Sequence, residues 1–144
     1  MWGCETMEYP LTGNFLAGRL RDNLSEDDLR YIENLVESVE EHGNATVLIE
    51  RGQVAERSTL LIEGFVFRTI EKTDRRYIVG VHVPGDFVDL HGFALKRLDH
   101  NIVTAGPVKV GYVSHEALRS VMRDRPGVAR AMWFATLLDA AIHR

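Results

Sequence analysis

The sequence predicts a mainly β domain, a sandwich or jelly roll flanked by helices, and three observations support this fold class. The length of 144 residues is typical of one domain. Short β-rich runs, broken by turn residues, fill the middle of the chain. Segments with a helical spacing of apolar residues lie on either side of them. Many short strands at this spacing favour a sandwich or jelly roll over a parallel sheet with crossover helices.

The composition excludes several classes of protein. Apolar residues form 45% and charged residues 26% of the chain, as in globular domains and unlike disordered, collagen-like or coiled-coil chains. The net charge of -4 has the wrong sign for a domain that binds nucleic acid by itself. The single cysteine, Cys4, can form no internal disulfide, and alone it cannot build a zinc or iron–sulfur site.

The N-terminal residues lack the apolar core of a signal peptide, because Glu5, Glu8 and Gly13 interrupt them. No apolar run in the sequence reaches the roughly 18 residues that a membrane span needs. We therefore expect a cytoplasmic protein without a membrane segment.

The first predicted helix covers residues 24–43. Ser25 can cap its N-terminus, Asp28 can complete a capping box, and Gly43 can end it. One face of this helix is apolar and contains Leu29, Ile32, Leu35, Val36 and Val39. The acidic residues on the rest of its surface indicate a solvated outer face, and an acidic docking surface is the alternative.

Six strands are predicted between Ala45 and Val113, separated by glycine, proline and charged turns. Their bounds are Thr46–Ile49, Thr59–Ile62, Phe65–Ile70, Tyr77–Val83, Ile102–Thr104 and Val108–Val113. Alternation is clearest in the fourth strand, where Tyr77, Val79, Val81 and Val83 share one face. Arg75 and Arg76 lie at the tip of the preceding hairpin, where we expect them to be solvated.

Helical spacing returns after the strands. Ser114 can cap a short helix that ends near Met122, and Pro126 suits the first turn of a long helix over about residues 126–144. One face of the long helix is a heptad-like seam that we predict to be a dimer interface, with Val128, Ala131, Ala135, Leu138 and Ile142. Trp133, Phe134 and Leu137 form a second apolar face. Two apolar faces favour a dimer, and one wide face buried in the core is the alternative.

Several motifs resemble, in order, the sensor domain of Crp/Fnr-type bacterial transcription regulators. They are the glycine turn at residues 49–52, the strand at residues 61–68, the basic turn at residues 74–76, the segment His82-Val83-Pro84-Gly85-Asp86-Phe87 with the residues after it, and the closing long helix. The resemblance covers residues 24–144, which leaves residues 1–23 as an N-terminal segment. No single motif is specific for this family, but the occurrence of all of them in this order is fairly specific.

This resemblance implies a cyclic-nucleotide-binding-like jelly roll, an N-terminal helix and a long C-terminal helix that forms a two-fold homodimer. It also implies a C-terminal helix-turn-helix domain that reads DNA. That domain is absent from this chain, and the long helix reaches Arg144 without a stop signal. We therefore expect more protein to follow, and we expect DNA binding only through that missing domain.

The resemblance also places an effector pocket, whose candidate residues are Arg68, Val88, Asp89, Leu90, His91, His100 and Asn101. Family members that bind cyclic nucleotides use a glutamate for the ribose and an arginine–serine pair for the phosphate. The corresponding positions here hold Leu90, His100 and Asn101, and Asp89 replaces a glycine. A buried phosphodiester needs a cation or several amide donors. We therefore expect no tight binding of cAMP or cGMP and an unknown small-molecule effector, for which an inward-facing Arg68 would be the best cation.

A metal-dependent enzyme of the cupin type is the alternative, because jelly rolls also carry such sites. His82, His91, His100 and His115 are candidate ligands, but no His-x-His pair exists. We predict that these histidines are structural or lie at the surface, and we expect no metal, no cofactor and no catalytic residues. Common catalytic motifs are also absent from the sequence. A stand-alone ligand-binding module is a third possibility.

Overall fold

The computed structural model describes residues 8–90 and 98–143, and for His143 the backbone alone. Its helices are α1 (Glu26–Leu35), α2 (His115–Asp124) and α3 (Pro126–His143). Its strands are β1 (Ser38–His42), β2 (Val47–Ile49), β3 (Arg57–Lys72), β4 (Arg75–His82) and β5 (Asn101–Ser114). One turn of 3-10 helix at Arg21–Asn23 precedes α1.

The strands form one antiparallel sheet in the order β1-β5-β3-β4, and β2 also pairs with β5. The long strands β3 and β5 are paired along most of their length and form the centre of the sheet. Strand β4 lies at one edge and, among the described residues, pairs with β3 alone. The prediction of a mainly β domain with flanking helices is confirmed.

Gly64 explains why two predicted strands are a single strand, β3. The pairing of β3 with β5 shifts register twice between Leu61 and Phe65, once before Glu63 and once across Gly64, as in a β-bulge. Gly64 has a φ of +91°, and a Cβ at this position would lie 2.5 Å from the carbonyl oxygen of Pro107. Only glycine tolerates this conformation and this close approach. The chain therefore bends at Gly64 and continues as one strand.

Two apolar clusters lie on opposite faces of β3, as its alternation requires. Leu60 and Ile62 point toward the helices, whereas Leu61 points into the interior of the roll. The helix-side cluster contains Phe15, Leu16, Ile32, Leu35, Phe87, Leu90, Val113, Leu118, Val121, Val128, Ala131 and Met132 as well. The roll-side cluster contains Val66, Val88, Leu98, Ile102, Val108, Val110 and Tyr112 as well. Apolar side chains thus fill both sides of the central sheet.

The predicted helix starts are confirmed. The hydroxyl of Ser25 accepts a hydrogen bond from the backbone of Asp28 (3.1 Å), and that of Ser114 accepts one from Ala117 (3.0 Å). Pro126 is the first residue of α3. Each serine hydroxyl pairs with a backbone N–H of the first helical turn that would otherwise lack a partner, and Pro126 has no N–H that needs one.

The predicted extent of the first helix is wrong. Helix α1 ends at Leu35, and residues 38–42 form β1, which pairs with β5. Val39 is exposed on this strand instead of lying on a helical face. Residues 36–43 contain no helix breaker before Gly43, so local propensity favoured a longer helix. The backbone hydrogen bonds offered by the edge of β5 outweigh that weak preference.

The N-terminal segment at residues 9–23 is fastened to α1 and to itself. The carboxylate of Glu33 accepts hydrogen bonds from the backbones of Leu11 (3.0 Å) and Thr12 (2.9 Å) and from the Thr12 hydroxyl (2.7 Å). The buried Arg21 donates to the carbonyl oxygens of Thr12 and Phe15. Phe15 then packs edge-on against Phe87, at 5.4 Å between ring centres. In the described part of the chain, no helix is long and apolar enough to cross a membrane.

Candidate functional site

The sheet and helix α3 are joined by a polar cluster around Arg68. Arg68 lies on β3 between Gly80 of β4 and Ile102 of β5, beside a register shift that separates it from Thr69. Such a bulge re-aims a side chain out of the regular alternation. The Arg68 guanidinium is largely buried, with 12% of the side chain exposed.

The partner of Arg68 is a carboxylate on α3. Arg68 Nη1 donates to Oδ2 of Asp139 at 3.0 Å, and the Asp139 side chain is 20% exposed. Arg68 Nη2 also lies 3.4 Å from Nδ1 of His100, which in turn lies 2.9 Å from Oδ1 of Asp99. This hydrogen-bonded ion pair connects residues 71 positions apart in the chain. The cation expected to serve an anionic ligand is therefore already engaged with α3.

His82, the last residue of β4, lies beside the same carboxylate. Its side chain is fully buried, with Nδ1 3.3 Å from Asp86 Oδ2 and 3.9 Å from Asp139 Oδ1. Asp86 also accepts a hydrogen bond from the backbone of Val83 (3.0 Å), which fixes the turn after β4. The end of β4 thus contacts α3 through His82.

Asp89, one of the predicted pocket residues, is hydrogen-bonded to β3. Its carboxylate is buried and accepts a hydrogen bond from the backbone of Thr59 at 2.6 Å. Burial raises the pKa of Asp89 to about 7, and this hydrogen bond offsets only part of that increase. Nearby backbone hydrogen bonds join Val88 to Thr59 (3.0 Å) and Leu61 to Asp86 (2.9 Å). Asp89 therefore fastens the 85–89 segment to β3.

The remaining pocket candidates do not meet at one place. Val88 belongs to the roll-side cluster and Leu90 to the helix-side cluster. Asn101 accepts a hydrogen bond from the backbone of Arg51 at 2.6 Å. His91 lies outside the described residues. Of the predicted set, the structure brings together Arg68 and His100.

Three of the four histidines that were considered as metal ligands lie in the described part of the chain, and all three are buried. His82, His100 and His115 each expose 3% of their surface or less, and His115 Nε2 lies 3.3 Å from the Ser58 hydroxyl. Within residues 8–90 and 98–143, no three His, Cys, Asp or Glu side chains are grouped so that they could hold a metal ion.

A groove runs beneath α3, and it was not foreseen from the sequence. It has a volume of about 490 Å³ and lies between the N-terminal segment at residues 14–19, the turn at residues 83–87 and α3. We call it the α3 groove. Gly85 closes its inner side, because a Cβ there would collide with the carbonyl oxygen of Asn14. The glycine of the Pro84-Gly85 turn was the one local signal for such a close contact.

The structure separates the two apolar faces of α3. Within the predicted seam, Val128 and Ala131 are fully buried in the helix-side cluster, so they offer no surface to a second chain. Ala135, Leu138 and Ile142 line the α3 groove. The second face is exposed, with 68% of Trp133, 36% of Phe134 and 55% of Leu137 accessible to solvent, and Ile142 at the end of the seam is exposed as well (60%).

Comparison with known proteins identifies the fold. Solved structures with a cyclic-nucleotide-binding fold match this chain over most of its length. A c-di-GMP-responsive global regulator from Xanthomonas campestris matches 83% of the chain with a TM-score of 0.72 and 16% identity. The N-terminal domain of a transcriptional regulator from Streptomyces coelicolor matches 85%, with a TM-score of 0.69 and 18% identity. FixK2 from Bradyrhizobium japonicum matches 72%, with a TM-score of 0.66 and 20% identity.

The extent of these matches differs between the relatives. The chain spans 59% of the Xanthomonas regulator, 52% of FixK2 and 86% of the Streptomyces domain. No family model and no curated protein sequence matches the chain. Likeness at this level of identity establishes the fold, so the predicted jelly roll with flanking helices is confirmed, and with it the resemblance to regulator sensor domains at the level of the fold.

Proposed function

We propose that this chain is the sensor and dimerisation domain of a Crp/Fnr-like transcription regulator, in which the position of α3 is the output. The ion pair between Arg68 on β3 and Asp139 on α3 is the observation that carries the proposal. It links the sheet to the helix at a point where an effector can compete for either charge. The regulators of similar fold support this proposal. DNA would be bound by a separate domain, and the protein would act in the cytoplasm without catalysing a reaction.

The homodimer in this proposal uses the exposed face of α3. Trp133, Phe134 and Leu137 form an apolar surface on a helix whose opposite side already packs on its own domain. Exposed apolar patches of this kind mark contact sites in proteins. A two-fold pairing of identical helices buries the same face of both chains and matches a palindromic DNA site. The interface is thus assigned to the second apolar face and not to the heptad-like seam.

An effector acts in this proposal by shifting a population of α3 positions. An anion that pairs with Arg68 removes the charge that holds Asp139, and α3 then gains freedom relative to β3. Such a ligand alters the dimer only to the extent that it prefers one position of α3.

We expect neither cAMP nor cGMP to be that effector. The guanidinium of Arg68 is already paired, the Asp89 carboxylate is fastened to β3, and Leu90 is part of the core. A calorimetric titration should give no binding at micromolar nucleotide. A dissociation constant in the micromolar range or tighter would contradict this expectation.

Sedimentation analysis of Leu137→Asp tests the dimer. The wild-type chain should sediment as a dimer and the variant as a monomer, because the new carboxylates would be buried opposite each other. Met122→Asp is the matched control, since Met122 is similarly exposed (49%) but lies on α2, and it should leave the dimer intact. A monomeric wild-type chain, or a dimeric Leu137→Asp variant, would refute the proposed interface.

A further inference from the structure

The carboxylates that line the α3 groove are already bound by groups of the protein. Asp139 accepts a hydrogen bond from Arg68 at 3.0 Å. Asp86 accepts one from the backbone of Val83 at 3.0 Å and lies 3.3 Å from the His82 ring. Both acids line the groove, but their negative charges face donors of the chain itself. The groove therefore offers a cationic ligand little that is not already used.

Two donors on the N-terminal segment differ from these acids. Arg19 and Asn14 both line the groove, and the Arg19 side chain is exposed to solvent. Among the described residues, neither side chain forms a hydrogen bond or an ion pair with the rest of the protein. A guanidinium and a carboxamide are suitable donors for a carboxylate. The groove thus has an available positive end.

The rest of the groove is mainly apolar. Its walls include Phe15, Leu16, Val81, Val83, Phe87, Leu90, Leu138 and Ile142. Its volume of about 490 Å³ lies within the range of roughly 300–1,000 Å³ that is common for small-molecule sites. Apolar walls with a few polar groups at one position are the usual composition of such sites.

We infer that the α3 groove binds an aliphatic carboxylate, with the alkyl chain along its apolar walls and the carboxylate at Arg19 and Asn14. A second copy of the chain is the less suitable occupant. At about 100° per residue, Trp133 and Leu137 lie on a different side of α3 from Leu138 and Ile142, and Phe134 lies between the two sides. A helix centred on Trp133 and Leu137 therefore leaves most of the groove open.

The ligand would lie against α3 itself, because Leu138, Asp139 and Ile142 all line the groove. An alkyl chain there would change the packing of the helix beside the Arg68–Asp139 ion pair. This regulatory consequence rests on the proposed function, whereas the binding itself does not.

Calorimetric titration of the chain with octanoate, decanoate and dodecanoate, below their micelle-forming concentrations, tests the site. Each additional buried methylene should tighten binding about fourfold. Dodecyltrimethylammonium, which has an alkyl chain one carbon longer and the opposite charge, should bind at least tenfold more weakly than dodecanoate. Failure of all three acids to bind, or equal binding of the ammonium ion, would overturn the inference.

Paired variants locate the bound ligand. Arg19→Glu should weaken dodecanoate binding at least tenfold, whereas Arg75→Glu, at the distant β3–β4 hairpin, should leave it unchanged. Val81→Asp should also abolish binding. Val79→Asp is its control, because both valines are equally exposed on β4 (45% and 46%) but only Val81 lines the groove. Circular dichroism verifies that each variant is folded. An equal loss in a control variant would place the ligand elsewhere and refute the inference.

Fluorescence separates this inference from the proposed function. In a Trp2→Phe background, Trp133 on the exposed face of α3 is the only tryptophan. Dodecanoate should bind and also shift the Trp133 emission or the dimer fraction. Binding without either change would retain the site but reject its coupling to α3. No binding in a chain that still dimerises through Leu137 would reject the site and retain the proposed dimer.

Discussion

Asp89 and Asp139 are two carboxylates withdrawn from water, and the protein satisfies them by different means. Asp139 lies on α3 and is paired with the guanidinium of Arg68. Asp89 follows the turn after β4 and accepts a hydrogen bond from the backbone of Thr59. No cation forms a salt bridge with Asp89 in the described part of the chain, and burial raises its pKa to about 7.

The difference indicates how each region is held. The 85–89 segment is attached to β3 by backbone hydrogen bonds, which depend on the position of the main chain and not on a replaceable charge. Helix α3 is attached to the same strand by an ion pair between side chains, for which another ion can compete. We therefore regard the segment as a fixed part of the fold and the ion pair as the adjustable one. Four experiments test this contrast.

Gly85→Ala should give the largest loss of stability. Gly85 has a φ of +99°, and a methyl group there would collide with the carbonyl oxygen of Asn14. Strain and backbone displacement together should lower the free energy of unfolding by about 3 kcal/mol or more. Gly52→Ala is the control, because Gly52 has a φ of +82° but nothing within 4 Å of its Cβ position, and it should cost only about 1 kcal/mol. Equal losses in urea unfolding would mean that the 85–89 segment is not fixed against residue 14.

Asp139→Ala should destabilise the chain by about 2–3 kcal/mol, because it leaves a largely buried guanidinium without its carboxylate. Arg68→Met should have a similar effect, since Asp139 then loses its guanidinium partner. The double variant Arg68→Met with Asp139→Ala should recover part of the loss, with a coupling energy of about 1 kcal/mol or more in a double-mutant cycle. Simple additivity of the two losses would show that the pair does not join β3 to α3.

Asp89→Asn should remove a pH dependence of the free energy of unfolding. The pKa of Asp89 is raised from 3.8 to about 7 on folding, so its protonated form stabilises the native state below about pH 4. This contribution is lost as the pH rises through about 7, with a limiting slope of about 1.4 kcal/mol per pH unit. Urea unfolding of wild type and Asp89→Asn between pH 5 and pH 8 measures the difference. Relative to wild type, the variant should be more stable at pH 8 than at pH 5. Parallel stability curves would contradict the raised pKa of Asp89.

Asp99→Asn should give the smallest effect. The carboxylate of Asp99 lies 2.9 Å from His100 in the Arg68 cluster, but its side chain is 92% exposed. Exposed pairs of this kind are worth about 0–1 kcal/mol. A change below about 0.5 kcal/mol in urea unfolding is expected, and a loss as large as that of Asp139→Ala would show that burial does not decide the strength of these contacts.

Local signals predicted the parts of the fold that depend on neighbouring residues. A hydroxyl at Ser25 or Ser114 caps a helix whatever the rest of the chain does, and Pro126 starts a helix for equally local reasons. Gly64 was identified as a break between strands, and it is a bulge within one strand. The predicted extent of α1 was wrong because β1 depends on a distant part of the chain. Strand β1 forms where β5 offers it a partner.

The candidate site was predicted in part. Arg68 was identified as the cation to consider, yet nothing local indicated that Asp139 would neutralise it. His82 is buried on β4, whereas the other large residues of this strand are exposed. The alternation pattern of β4 did not predict that burial. The α3 groove needs three segments that are distant in sequence, so no single window of residues contains it.

The sequence by itself determined the fold class, the helix starts and the presence of two apolar faces on the long helix. These features depend on backbone conformation and on the periodicity of apolar residues, both of which are set within a few residues. The tertiary structure alone decided which face of α3 is buried, which acid pairs with Arg68 and which carboxylate is left with a raised pKa. Those outcomes depend on long-range packing, since burial and charge pairing are properties of what the fold brings together.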